Sequence, residues 1–268
     1  KAFREEVREM VERYVADYRA YFARHDGVRE RPKKALDPMP RVVLVPGLGL
    51  FGVGSSAAAA RIAADLAENT VRVITDAEAI GAYQPVDEAA TFDIEYWSLE
   101  QAKLSKDAEK PLARQVVMIT GGAGGIGGAT ARAFATHGAE VAVLDLDGGK
   151  AEEVAVGING LGMRCDVTDG DDVRAAFDGV CEEYGGVDIV ISNAGAAWQG
   201  KIGEVDDRTL RESFELNFFG HQTVAQNAVR VMLAQGTGGA LLFNASKQAV
   251  NPGSSFGPYG LPKAATLF

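Results

Sequence analysis

The chain has 268 residues, 47% of them apolar, and a formal net charge of −10. That length allows one large domain or two smaller ones, and the apolar share is enough for a packed core. The negative charge argues against a nucleic-acid partner, and no apolar run approaches membrane-spanning length.

In chain order, apolar residues first recur at Phe3, Val7, Met10, Val11, Tyr14, Val15, Tyr18 and Phe22, which is helical spacing. Pro32, Pro38 and Pro40 mark a loop, and residues 41–45 read as a strand. Ser55 or Ser56 then caps a helix whose buried face would hold Ile62, Leu66, Val73 and Ile74. Residues 90–110 are mixed and polar, a connector with one short helix, and the character changes at Pro111.

From Gln115 strand and helix alternate. Strands are expected at 116–119, 140–144, 162–165, 187–192 and 240–244. Helices are expected at 127–136, from 152, at 171–184 and over a long stretch, 209–235. Apolar strands divided by amphipathic helices predict a parallel sheet covered on both faces. Right-handed crossovers make it a doubly wound, Rossmann-like α/β sheet, preceded by a smaller α+β segment.

Two glycine-rich turns compete for a dinucleotide. Gly47-Leu48-Gly49-Leu50-Phe51-Gly52 is a literal GxGxxG, with Asp76 downstream, but the form alone is weakly specific. A dinucleotide turn starts its helix inside the motif, so that free N–H groups meet the pyrophosphate. Here the caps Ser55 and Ser56 come after it, and residues 41–54 read better as a hairpin turning at Pro46-Gly47. The second turn, Thr120-Gly121-Gly122-Ala123-Gly124-Gly125-Ile126-Gly127, follows a strand and opens a helix. Gly121 permits the sharp exit, Gly125 lets the backbone approach the pyrophosphate, and Gly127 lets the helix pack close. Asp145 ends the next strand, where a carboxylate accepts from ribose hydroxyls and repels a 2′-phosphate; the expected cofactor is NAD.

Further on come Cys165-Asp166-Val167, Asn193-Ala194-Gly195, Asn217, Ser246, and Tyr259 with Lys263 in a Tyr-x-x-x-Lys spacing. With the glycine turn, this order resembles the short-chain dehydrogenase/reductase family. The resemblance implies that Gly121, Gly125, Ile126, Gly127, Asp145, Asp166, Val167, Asn193, Ala194, Gly195, Tyr259 and Lys263 hold NAD. Within it, Asp166 meets the adenine and Asn193-Ala194-Gly195 lines the cofactor. It also implies that Tyr259, Lys263, Ser246 and Asn217 are catalytic.

The chemistry is consistent with that assignment. Oxidising an alcohol requires a proton to leave its oxygen. A free phenol is a poor base near neutral pH, but a neighbouring ammonium favours its phenolate. Residues four apart on a helix share a face, which puts the Lys263 ammonium beside Tyr259. In the resemblance Lys263 also holds the nicotinamide ribose, Ser246 donates to the substrate oxygen, and Asn217 anchors a relay water. Taken singly, each motif occurs by chance; their joint order carries the assignment.

Other features read more plainly. Pro262, directly before Lys263, is tolerated only in a helix's first turn, so that helix must begin near Tyr259. The family continues through two more strands and a closing loop, absent here. The chain also lacks an initial Met, so a fragment of a longer polypeptide is expected. His25, His137 and His221 are scattered and read as surface or core residues, with His221 bordering the pocket at most. Trp198, Gln199, Lys247 and Gln248 suggest a small polar substrate. Cys165 and Cys181 read as thiols in a reducing, cytoplasmic compartment, with no metal-ligand spacing. The charged residues 1–13 are not a signal peptide. In the family, subunits pair through long helices, which makes 209–235 the candidate surface for a homo-oligomer.

Residues 41–104 resemble the C-terminal part of a class II (zinc) aldolase. Residues 42–54 are similar to its late hairpin and 56–80 to the following helix. Aldolases joined to a short-chain dehydrogenase occur in deoxy-sugar breakdown, notably of rhamnulose phosphate, where lactaldehyde is released and then oxidised. The implied division is 1–105, a partial aldolase-like segment with connector, and 111–268, an NAD-binding domain. Pro46-Gly47 stands where that aldolase fold often has a ligating His-Gly, and there is no His-x-His, so no metal site and no lyase activity are expected from these residues. The function expected is an NAD-dependent oxidoreductase acting on a small polar alcohol, its carbonyl, or a hydroxyaldehyde such as lactaldehyde. The alternatives are a non-catalytic NAD-binding module, or a lyase whose active domain lies upstream.

Overall fold

The structure is a computed structural model describing residues 2–27, 33–98, 109–201 and 203–268. It divides into two units, 1–108 and 109–268.

The first unit holds α1 (Ala2–Asp26), β1 (Val42–Val45), β2 (Gly49–Gly52), α2 (Ala57–Ile80) and α3 (Glu88–Glu95). Pro32 and residues 99–108 of the expected connector lie outside the described residues. β1 and β2 form the antiparallel hairpin expected, with Val42 opposite Gly52 and Val45 opposite Gly49. Leu48 N–H donates to Val45 O at 3.0 Å, closing a turn with Pro46 and Gly47 at its centre. Gly47 has φ 80°, the left-handed conformation a type II turn needs at that place. A Cβ on Gly52 would lie 2.1 Å from Ala60 O, so the last glycine of the first GxGxxG serves to pack the strand on α2.

Ser56 caps α2 as predicted, accepting from Ala59 N–H at 3.1 Å. The expected burial of its apolar face is corrected: no α2 residue is buried, and Ile62, Leu66 and Val73 are more than half exposed. Helical spacing tells which residues share a face but not what covers it. The buried part of this unit lies elsewhere, around Phe92 and Tyr96 on and after α3, packed against Tyr21 and Phe22 of α1. Glu95 accepts from Tyr18 Oη at 2.6 Å and Tyr21 Oη at 3.0 Å, tying α1 to α3. Burial, and then these bonds to a carboxylate, push both phenols well above their ordinary value.

The second unit holds β3 (Val116–Thr120), α4 (Gly125–Thr136), β4 (Glu140–Asp145), α5 (Gly148–Val156), β5 (Leu161–Arg164), α6 (Gly170–Tyr184), β6 (Ile189–Ser192), α7 (Asp207–Phe214), α8 (Gly220–Gln235), β7 (Ala240–Phe243) and α9 (Gly257–Leu267). The five strands form one sheet in the order β5-β4-β3-β6-β7, every pairing parallel. Successive strand residues face opposite sides. Val116 and Met118 pack with Phe177 of α6 and Val224 of α8 on one face. Val117 and Ile119 pack with Ala131 of α4 and Ala151 of α5 on the other. The sheet is covered on both sides, which is why its strands read as continuous apolar runs.

Several boundaries differ from expectation, these most of all. α4 and α5 begin earlier, at Gly125 and Gly148, because their caps Gly124 and Asp147 precede the apolar pattern. The long helix is two, α7 and α8, joined by a π-helical segment, Glu215–Phe219. Pro262 falls inside α9, past its first turn, with Pro258 already near its start.

Candidate functional site

β3 ends at Thr120 and the chain turns through Gly121 into α4. Gly121 has φ 61°, and a Cβ there would meet Ala194 Cα at 2.8 Å. A Cβ on Gly127 would stand 2.1 Å from Gly121 O, so only glycine lets α4 leave this close to the strand. Gly125 is different: nothing lies within 4 Å of the position its Cβ would take. Gly124 caps α4 without a side chain, leaving the first-turn N–H groups without a side-chain cap.

A cleft of about 550 Å³ opens over this turn. Gly121, Gly125, Ile126, Gly127, Asp145, Asp166, Val167, Asn193, Ala194, Gly195, Tyr259 and Lys263 all line it. Asp145 lines it beside the turn, its carboxylate accepting from Ala123 N–H at 3.0 Å and Asp147 N–H at 3.1 Å. Each oxygen keeps a further lone pair for a ligand hydroxyl. Asp166 accepts from Thr168 N–H at 2.9 Å and Thr168 Oγ1 at 2.7 Å, which holds the loop after β5. The neighbouring cations are paired, Lys150 with Asp147 and Arg164 with Asp172.

Asn193 is a clasp. Its Nδ2 donates to Thr120 O at 3.0 Å and Gly121 O at 3.1 Å. Thr120 Oγ1, buried, accepts from Asn193 N–H at 3.0 Å and Ala194 N–H at 3.1 Å. Asn244, just past β7, donates from Nδ2 to Asn193 Oδ1 at 2.8 Å. The ends of β3, β6 and β7 are thus bonded together beneath the cleft.

Lys263 comes up from α9 and is 2% exposed. Its Nζ donates to Asn244 O at 2.9 Å and stands 3.0 Å from His221 Nε2. Burial pushes the ammonium down to about 8. Nζ lies 6.0 Å from the centre of the Tyr259 ring, half-buried one turn earlier on the same helix. Burial, then the Lys263 charge, push His221 down to about 4, so its ring is neutral.

Asn217 lies in the π segment behind Gly195 and is fully buried. The π turn, in which Gly220 N–H reaches back to Glu215 O, is a device frequent at functional sites. Asn217 Nδ2 donates to Ala196 O at 2.9 Å and Ser213 Oγ at 3.1 Å. Its carbonyl accepts from Thr266 Oγ1 of α9 at 2.7 Å. Its Oδ1 has no protein partner, and a Cβ on Gly195 would sit 2.8 Å from that atom and 3.3 Å from Lys263 Nζ. A buried acceptor of this kind is satisfied by a water or a ligand hydroxyl.

Ser246 is placed differently. It lies outside the lining of the cleft and starts a 3₁₀ turn, Lys247–Ala249, accepting from Gln248 N–H at 3.2 Å. Sequence reasoning assigned no part to Thr120 Oγ1, Ser192, Asn244 or Thr266, and read His221 as core or surface. The available signals were Asn244 directly after the last strand and His221 one helical turn past Asn217.

Comparison with known proteins agrees with this geometry. Residues 115–267 match the family model for short chain dehydrogenases, and residues 1–104 that for the second domain of class II aldolases. The chain belongs to the short-chain dehydrogenase family. Members of this family are oxidoreductases of alcohol and carbonyl groups and typically take a nicotinamide cofactor.

An uncharacterized oxidoreductase, YuxG, of Bacillus subtilis is 34% identical over 266 residues, spanning 96% of this chain and 38% of its own length. D-threitol dehydrogenase of Mycolicibacterium smegmatis is 36% identical over 152 residues, 55% of this chain and 58% of that protein. Among solved structures, a short-chain dehydrogenase/reductase from Mycobacterium marinum superposes with a TM-score of 0.55 at 34% identity. That match covers 57% of this chain and 65% of the other. The chain thus spans less than two thirds of each of these relatives. Among the described residues, no helix is long and apolar enough to cross a membrane.

Proposed function

We propose that this chain is an NAD-dependent dehydrogenase of small polar alcohols and hydroxyaldehydes, such as lactaldehyde. The observation that carries the proposal is the pairing of Tyr259 and Lys263 in the cleft whose other end is the glycine turn. The cleft suits a dinucleotide: uncapped N–H groups await phosphate at the start of α4, Gly125 leaves room for it, and Asp145 accepts ribose hydroxyls. The Asp145 carboxylate, with nearby cations already paired, supports NAD over NADP.

When bound, NAD supplies the hydride acceptor for oxidation and, reduced, the donor for the reverse. The residues of the chain handle the proton. Tyr259 takes it from the substrate hydroxyl, and the Lys263 ammonium favours the phenolate that does so. Lys263 also has an N–H left for a cofactor ribose hydroxyl, since two are directed to Asn244 and His221. Ser246, on the loop after β7, would donate to the substrate oxygen. Asn217, with its free Oδ1, would hold a water beside Lys263.

The likeness to D-threitol dehydrogenase supports a small polyol-like substrate. The aldolase match of residues 1–104 supports a two-part protein whose dehydrogenase part, 111–268, takes an aldehyde, with 1–105 as the aldolase-like part. Its setting would be cytoplasmic, with Cys165 and Cys181 unpaired. Self-association would use α8, where Val229 and Leu233 are exposed. The test is NADH formation by the full natural protein with a panel of small polyols and hydroxyaldehydes. NAD binding without turnover across the panel would leave a binding module instead.

A further inference from the structure

His221 is 3% exposed, deep between α8 and the sheet, and its two ring nitrogens both meet polar side chains. Nε2 is 3.0 Å from Lys263 Nζ and Nδ1 is 2.6 Å from Ser192 Oγ. A protonated lysine only donates, so Nε2 must accept. The ring proton then sits on Nδ1 and points to Ser192 Oγ, which fixes the tautomer.

From this geometry we infer that His221 is a positioning residue for Lys263. As the Nδ1–H tautomer anchored on Ser192, it holds the ammonium in the orientation that faces Tyr259 and the cleft. With Asn244 O it takes two of the three N–H bonds of Nζ. One N–H remains, and Nζ itself stands 3.3 Å from where a Cβ on Gly195 would be, beside a residue that lines the cleft. The chain His221–Ser192 ends in the protein interior, since Ser192 is 2% exposed. It is therefore a clamp and not a proton path to solvent. The inference rests on the assignment of Lys263 as a catalytic group.

A clamp of this kind sets the protonation of Lys263. Among the described residues, no carboxylate bonds to either member of the pair. The charged groups on or beside the elements packed against α9, namely Asp207, Arg208, Arg211, Glu212, Glu215 and Lys247, are exposed. Asp145 and Asp166 line the cofactor cleft. On α9 itself the titratable neighbour is Tyr259. Removing the acceptor leaves a buried ammonium with one partner fewer, which favours the neutral amine.

The experiment compares His221→Leu, His221→Asn and His221→Gln in the full natural protein. Gln extends an acceptor to the place of Nε2; Asn is too short to reach Lys263 but can keep a bond to Ser192. Two readouts are taken: titration of the Lys263 Cε resonance by NMR, and the pH dependence of kcat/KM. The Leu and Asn variants are expected to lower the Lys263 titration, and the alkaline limb of the profile, by about one pH unit, while Gln holds the wild-type values. A Leu or Asn variant that titrates like wild type, or a Gln variant displaced as far as Asn, overturns the inference. If Leu does not fold, Asn against Gln decides. If wild type shows no turnover, the functional proposal fails, while the NMR titration still decides the clamp.

Discussion

Asn244 joins two parts of the site: its Nδ2 donates to Asn193 Oδ1 at 2.8 Å, and its carbonyl accepts from Lys263 Nζ at 2.9 Å. The clasp beneath the glycine turn and the amine beside Tyr259 therefore share one bonded neighbour. Asn244→Ala keeps the carbonyl and removes the amide. The expected result is a loss of about 1 kcal/mol in urea unfolding and weaker NADH binding, because Asn193 can then tilt off Gly121.

Thr120 Oγ1 satisfies two backbone N–H groups at once. Thr120→Val keeps the shape and orphans both. A loss of roughly 2–4 kcal/mol is expected in urea unfolding with an unchanged m-value. A loss below half a kcal/mol would mean that water serves those groups instead.

The two glycines of the turn separate stability from binding. Gly127→Ala drives a Cβ toward Gly121 O and should lower the melting temperature along with cofactor affinity. Gly125→Ala meets nothing in the protein. It should leave the melting temperature unchanged or slightly raised and, on the proposed placing of the phosphates, weaken NADH binding about tenfold or more. Calorimetric binding and thermal melts on both variants check this.

His221 makes stability depend on pH, with a definite sign. Burial first, and then the Lys263 charge, hold its folded value at about 4, below the ordinary 6.5. Between those values the unfolded chain binds a proton that the folded one does not. Stability is therefore full above pH 6.5, falls as pH drops toward 4, and loses nothing further from this group below that. The total is about 3 kcal/mol at most. His221→Gln should flatten that part of the urea-midpoint profile. Lys263 acts in the opposite range: burial holds it at about 8 against an ordinary 10.5, so the cost of its charge is relieved as pH rises between them.

The fold of the second unit was legible because its strands are doubly buried and its turn glycines sit where backbone meets backbone. The hairpin in the first unit was legible from Pro46-Gly47 and from caps that follow the motif. What stayed hidden depends on things spacing does not encode. The π segment, marked by the bond from Gly220 N–H to Glu215 O, leaves no signal in the apolar spacing, so α7 and α8 read as one helix. The face of α2 has core-like spacing yet is exposed, since periodicity cannot say what lies opposite. His221 read as a surface or core residue bordering the pocket at most, because its partners, Ser192 and Lys263, come from remote segments. The place of Ser246 after β7 was legible, but the bond its Oγ accepts from Gln248 N–H, which starts a 3₁₀ turn, was not.

The most direct test of the account is Tyr259→Phe in the full natural protein, assayed for NAD reduction with a small polyol or hydroxyaldehyde that wild type oxidises. The account predicts a fall in kcat of about 10²–10⁴ with NADH affinity unchanged, because the phenol moves the proton while the ring only lines the cleft. Wild-type turnover by the folded variant would contradict it.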